Sequence, residues 1–310
     1  MEGSKVSLSS EMFTPVDKDL KQAEALVRPS LTYWQDAWRR LKQHKLAMTG
    51  LYIIGFLIIM AIIGPHLSAY DFRENHLDKT YMPPGSEYWF GSDALGRDLF
   101  TRIWYGARIS LSIGVGTAII TFVIGVFYGG ISGLVGGKVD TIMMRFVEIL
   151  WGIPFLLYVI LLTLYFHDGG IKTIFIALGA VYWLRMARIV RGQVLQLKNQ
   201  EYVMAARALG ASNWRILTRH LIPNSLGPII VEVTLAVPEA IFSESFLSFL
   251  GLGVSVPMAS WGVLANDGIG AFRSYPWLIF FPAFFICLTM LAFNFLGDGL
   301  RDALDPRMRK

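Results

Sequence analysis

The chain has 310 residues, of which 54% are hydrophobic and 16% charged, and it carries a net charge of +5. So much apolar surface on so short a chain excludes an ordinary soluble domain and points to lipid. The basic residues are spread among the segments between apolar stretches rather than gathered into one stripe, so they sort the sides of a membrane and leave no nucleic-acid footprint.

A bilayer core about 30 Å thick takes roughly 20 apolar residues per helix. Six stretches meet that requirement: 46–65, 107–131, 143–165, 172–190, 226–250 and 276–297, the fourth being the shortest. The expected fold is an all-α membrane protein with six transmembrane helices. The first 30 or so residues are polar and mixed in charge, unlike a cleavable signal peptide. Trp34–Lys45 (WQDAWRRLKQHK) then mixes tryptophan with basic side chains, the composition of a helix lying in the headgroup zone. Residues 1–45 therefore read as a tail and an interfacial helix, 46–106 as the first span and an outer loop, 107–297 as the membrane core, and 298–310 as a second tail.

With the N-terminus placed inside, 21 of the 28 Lys and Arg fall on the inner side. The bias survives removal of the distal tail residues Lys5, Lys18, Lys21 and Arg28, so both termini are expected in the cytoplasm. Cys287 is the sole cysteine, which excludes an intramolecular disulfide. The loop after the first span carries the turn residues Pro83, Pro84 and Gly85 and then FGSDALGRDLFTRIWYGARISL (Phe90–Leu111). Asp93, Arg97, Asp98, Arg102 and Arg108 can pair there and fix how the second span begins. Glycines (Gly114, Gly116, Gly125, Gly129, Gly130) and prolines (Pro154, Pro228, Pro238, Pro282) inside the spans suit close helix approach and local breaks at membrane depth.

The turn GLVGGKVD (Gly133–Asp140) superficially resembles a phosphate loop, but Ser132 stands six before Lys138 and Val139 follows it, so the Walker pattern fails. The chain has no visible means of hydrolysing ATP. The histidines (His44, His66, His76, His167, His220) are scattered without metal-ligand spacing, and no nucleophile elbow occurs. No catalytic residue, cofactor or metal is expected.

The longest inner segment, VRGQVLQLKNQEYVMAARALGASNWRILTRHLIPN, predicts a helix from Glu201 to Leu209 and a left-handed stop at Gly210. A second helix, capped by Ser212 or Asn213, is expected to run to Leu221 and end at Pro223. Ala205 and Ala206 keep the first helix low enough for a partner backbone to approach, with Arg207, Arg215 and Arg219 at its edges. That is the shape of a docking element, or of a loop lying on the headgroups. Glu148 in the third span and Glu232, Glu239 and Glu244 in the fifth need partners at depth. Glu232 and Glu239 share a helix face and are candidates for a substrate route or a helix interface. Arg185, Arg188 and Arg191, three apart, most simply anchor the fourth span to the inner surface.

Ala205-Ala206, Gly210 and Ile222-Pro223 fall at the spacing of the EAA loop, and in this respect the chain resembles the permeases of ABC importers. The blocks FGSDALGRDLFTRIWYGARISL, NQEYVMAARALGAS with RHLIPN, and FLSFLGLGVSVPMASWG (Phe246–Gly262) are similar to the C-type permease of oligopeptide and dipeptide importers, closest to oligopeptide permeases of Gram-positive bacteria. The likeness runs from about Trp34 to GDGLRDALDP (Gly297–Pro306). It implies a multi-pass subunit of the bacterial plasma membrane paired with a homologous permease. Two ATP-binding cassette subunits would dock at Glu201, Ala205, Ala206, Arg207, Gly210, Ala211 and Pro223, and an extracellular binding lipoprotein would deliver peptide. Met204 departs from the motif, which has an acidic residue there. Relatives for dipeptides, nickel or glutathione remain open as substrate alternatives. A secondary transporter would need inverted repeats and coupling-ion residues, neither of which is visible.

Overall fold

The computed structural model describes residues 32–166, 170–254 and 258–305. The expectations for the N-terminal tail, His167, Pro306 and residues 255–257 of the third block lie outside the described residues. Residues 32–36, at the head of the first helix, group apart from the body that begins at Ala37.

The described residues form twelve α-helical segments. Helix α1 is Tyr33–Gln43 and α2 is Lys45–Ile63, with the His44 ring accepting from the Ala47 amide at 3.1 Å as its cap. Helix α3 is Leu99–Val135, followed by α4 (Gly137–Gly152), α5 (Phe155–Phe166) and α6 (Ile171–Leu197). The inner loop contains α7 (Glu201–Ala208), α8 (Asn213–Ile216) and α9 (Ile222–Asn224). Helices α10 (Leu226–Phe249), α11 (Trp261–Ile269) and α12 (Trp277–Leu304) complete the body.

Five of these, α2, α3, α6, α10 and α12, are long and apolar enough to cross a membrane. The third expected span is not one continuous helix. It is divided into α4 and α5, bent by 82°. Pro154 is the cause: it has no amide hydrogen to donate, and it pushes Ile153 out of the helical region to φ −84°, ψ 125°. At 16 and 12 residues, and about 1.5 Å rise per residue, neither half alone crosses a bilayer core. The fourth span, read as the shortest, is a 27-residue helix that continues past its arginines.

Helix α3 is the central post. Its 37 residues start earlier than expected because Asp98 caps it, accepting from the amides of Phe100 and Thr101 at 3.3 and 3.1 Å. Fully buried Trp104 and Trp261 anchor a core that joins α2, α3, α10, α11 and α12. On the opposite side α6 lies tight against α3. A Cβ at Gly129 would strike the Ala187 carbonyl, so glycine is required for that approach. Tyr52, Phe56, Ile59 and Ile62 on α2 and Phe280, Phe284 and Leu291 on α12 face outward, the surface expected against lipid.

Candidate functional site

The inner loop folds into two short helices at a glycine turn. At the end of α7 the Ala211 amide donates to the Ala206 carbonyl and the Gly210 amide to the Arg207 carbonyl, both at 3.0 Å. Gly210 has φ +81°, so this is a Schellman closure that a side chain at that position would strain. Ser212 caps α8, its hydroxyl accepting from the Arg215 amide at 3.3 Å. These features match the sequence expectation. The expected stop at Pro223 is absent: Leu217–Leu221 forms a π turn in which the Ile222 amide reaches the Leu217 carbonyl, and Pro223 sits in the first turn of α9, where a missing donor is tolerated. Only Ser225 then separates the loop from α10, its hydroxyl donating to the Leu221 carbonyl at 2.8 Å.

The loop has two distinct faces. Val203, Ile216, Leu217 and Leu221 are buried against Val126 and Leu134 of α3 and Val190 and Val194 of α6. The other face is open. Glu201, Ala205, Arg207 and Pro223 are exposed there, and Ala206 and Ala211 are half-buried. Leu209 is 88% exposed and Trp214 60%, and Trp214 also stacks on Phe127 at 5.7 Å. With Tyr202 and Met204 also exposed, the loop carries several exposed apolar side chains beside the glycine turn. The sequence reading passed over Leu209 and Trp214; their signal was the presence of two large apolar side chains beside the glycine turn.

The three arginines of α6 are not free surface anchors. Arg185 bridges Glu232 at 2.8 Å and Glu239 at 2.7 Å, Arg188 lies over the Trp151 ring at 4.8 Å, and Arg191 grips Asp140 at 2.5 and 2.7 Å. Each carries a partner because α6 is packed inward against α3, α4 and α10. The shared face of Glu232 and Glu239 is real and meets α6. Both line a cavity of about 270 Å3 with Arg185 and Tyr182, whose hydroxyl donates to the Glu239 carbonyl at 3.0 Å. Arg185 and Tyr182 are thus site residues that the sequence reading did not assign. Glu244 lies elsewhere, fully buried, accepting from Ser248 at 2.7 Å and from Ser260 in a knot that ties α10 to the start of α11. Glu148 is exposed on α4 and pairs with Arg145 at 2.9 Å.

On the opposite side, Asp93 receives Arg97 at 2.7 Å and buried Arg102 as well, while Arg108 donates to the carbonyls of Ala61 and Ile62. The expected pairing is present in part: Asp93 pairs with Arg97 and Arg102, whereas Asp98 caps α3 instead of meeting an arginine and Arg108 binds backbone carbonyls. Further out, Glu87 accepts from Lys79 and, at 2.7 Å, from the Tyr70 hydroxyl; the Lys79 contact first and the Tyr70 bond second hold its carboxyl below the usual range. Burial pushes the neighbouring Tyr88 hydroxyl up to about 12.

Long apolar helices, a charged cavity and an exposed loop that runs on into one of its walls fit a multi-pass membrane transport subunit. Residues 125–310 match the family model for the binding-protein-dependent transport system inner membrane component, and residues 32–84 match that for the N-terminal TM domain of oligopeptide transport permease C. The chain belongs to this family of transport permeases. It is 56% identical to the dipeptide transport system permease protein DppC of Bacillus subtilis, over 97% of this chain and 94% of that protein. It is 53% identical to the oligopeptide transport system permease protein OppC of the same organism, over 98% and 99%. To the OppC protein of Escherichia coli it is 45% identical, over 93% and 95%.

Proposed function

We propose that the chain is a permease subunit of an ATP-driven peptide importer, with oligopeptides as its main cargo and dipeptides as the alternative. The observation that carries this reading is the exposed loop at 201–224, which continues almost unbroken into α10, the helix that bears Glu232 and Glu239. Two ATPase subunits dock on the inner loops of this chain and of a homologous partner permease. On this chain the contact is made by Glu201, Ala205, Ala206, Arg207, Gly210, Ala211 and Pro223, with Leu209 and Trp214 added. The ATP chemistry belongs to those subunits, and an extracellular binding lipoprotein delivers the peptide. Glu232 and Glu239 stand on the pathway; Glu148 stands at an interface, and Glu244 holds helices together.

The protein sits in the bacterial plasma membrane with both termini in the cytoplasm, a topology supported by 21 of the 28 Lys and Arg falling on the side of the docking loop. The names of the two Bacillus relatives divide between dipeptides and oligopeptides at nearly equal identity. Peptide length is therefore assigned to the binding protein.

The test is co-purification of the tagged chain in mild detergent. The expected outcome is a second permease and two ATPases in stoichiometric amounts, with ATP hydrolysis stimulated by peptide-loaded binding protein. Recovery of the chain alone, transporting peptide in liposomes without ATP, would contradict the proposal.

A further inference from the structure

The 270 Å3 cavity has one charge too many. Its polar wall is a single guanidinium, Arg185, set between two carboxylates, Glu232 and Glu239, so the ionised triad keeps one net negative charge. The two acids are not equivalent. Glu232, 10% exposed, takes two bonds from Arg185, at 2.8 and 3.1 Å, whereas Glu239 takes one at 2.7 Å and its side chain is 45% exposed. The unused acceptor capacity therefore lies on Glu239. Thr121 also borders the cavity, but its hydroxyl is fully buried, so the accessible polar surface is that of the triad. Trp151 and Tyr182 supply aromatic walls, surfaces that tolerate both apolar side chains and cations.

The geometry points to this cavity as the subsite that receives the N-terminal ammonium of a peptide in transit, donating to Glu239, with the first side chain against Trp151 and Tyr182. The assignment rests on the peptide-importer reading. An ammonium brings three donors and the missing positive charge, whereas a carboxylate end would face uncompensated acid. Glu232 also lines a larger cavity of about 600 Å3 that includes Arg301 and Asp305. The Arg185–Glu232 pair is thus the partition between the subsite and the chamber nearer the docking loop.

The experiment uses the complete transporter with its binding protein in proteoliposomes. It compares uptake of a neutral tripeptide with a free N-terminus and uptake of the same peptide N-acetylated, each presented on binding protein saturated with it. Wild type favours the free amine. Glu239→Gln lowers the free-to-acetylated ratio about tenfold, the loss expected for one charge-assisted hydrogen bond. Glu239→Asp retains most of the preference. An unchanged ratio in Glu239→Gln, or equal loss of both peptides, overturns the subsite. A wild-type assembly that imports neither peptide overturns the importer reading itself, and that result appears before any variant is made.

Discussion

Two glycines illustrate how differently a single position constrains this molecule. At Gly210 a Cβ would meet nothing within 4 Å, yet φ is +81°; at Gly129 the backbone is ordinary helix, but a Cβ would collide with the Ala187 carbonyl. Gly210→Val therefore costs backbone strain alone, about 1–2 kcal/mol, and leaves the membrane body packed. The expected result is normal insertion and complex recovery with loss of most peptide-stimulated ATP hydrolysis. Gly129→Val forces α6 away from α3, and its expected signature is loss of folded protein, read as a broadened or early size-exclusion peak. Outside the membrane, Glu87 gives a pH prediction. Its folded carboxyl value is depressed, first by Lys79 and then by Tyr70, so its contribution to outer-loop order is complete above the ordinary value near 4.5 and is lost as pH falls through the lower folded value. Amide exchange in residues 70–90 should accelerate on that acid limb and not between pH 6 and 8.

At the scale of elements, ion pairs hold α6 to its neighbours. Asp140 near the start of α4 accepts two bonds from Arg191 and one from Ser132 at 2.5 Å, while Lys198 donates to the Gly133 carbonyl at 2.8 Å. This staples the turn between α3 and α4 to the segment leading into the docking loop. A double-mutant cycle on Asp140→Ala and Arg191→Ala in a detergent unfolding assay should give a coupling of roughly 1–3 kcal/mol; additive losses would remove the staple. The sequence made some elements legible and hid others. Hydropathy located five spans within a few residues of their cores, because an 18–20-residue apolar run has few alternatives in lipid. Local chemistry located the Gly210 turn and the Ser212 cap, since both depend on neighbours within four residues. Pro154 was visible as a breaker, but the 82° bend depends on where α5 then packs. The inward turn of Arg185 and Arg191 depends on Glu232, Glu239 and Asp140, some 47 to 54 residues away along the chain; spacing along α6 carries no trace of it. Pro223 misled because it sits in the first turn of α9, where a missing donor is tolerated.

On the scale of the whole molecule, the apolar belt, the internal charged cavity and the docking loop form one connected path. The loop is packed on α3 and α6 by its buried face and joins α10, the helix that bears Glu232, through α8, the π turn, α9 and Ser225. From Leu226 to Glu232 is about 9 Å along the helix axis. The proposed coupling to ATPase subunits uses that connection. The most direct test is cysteine cross-linking in the assembled transporter. With Cys287→Ser as background, Leu209→Cys places a single thiol on the open face of the loop, and Trp89→Cys places one on the opposite side of the molecule. The account predicts a cross-linked product between Leu209→Cys and an ATPase subunit, weakened or strengthened by ATP, and none from Trp89→Cys. An ATPase product from Trp89→Cys, with none from Leu209→Cys, would contradict it.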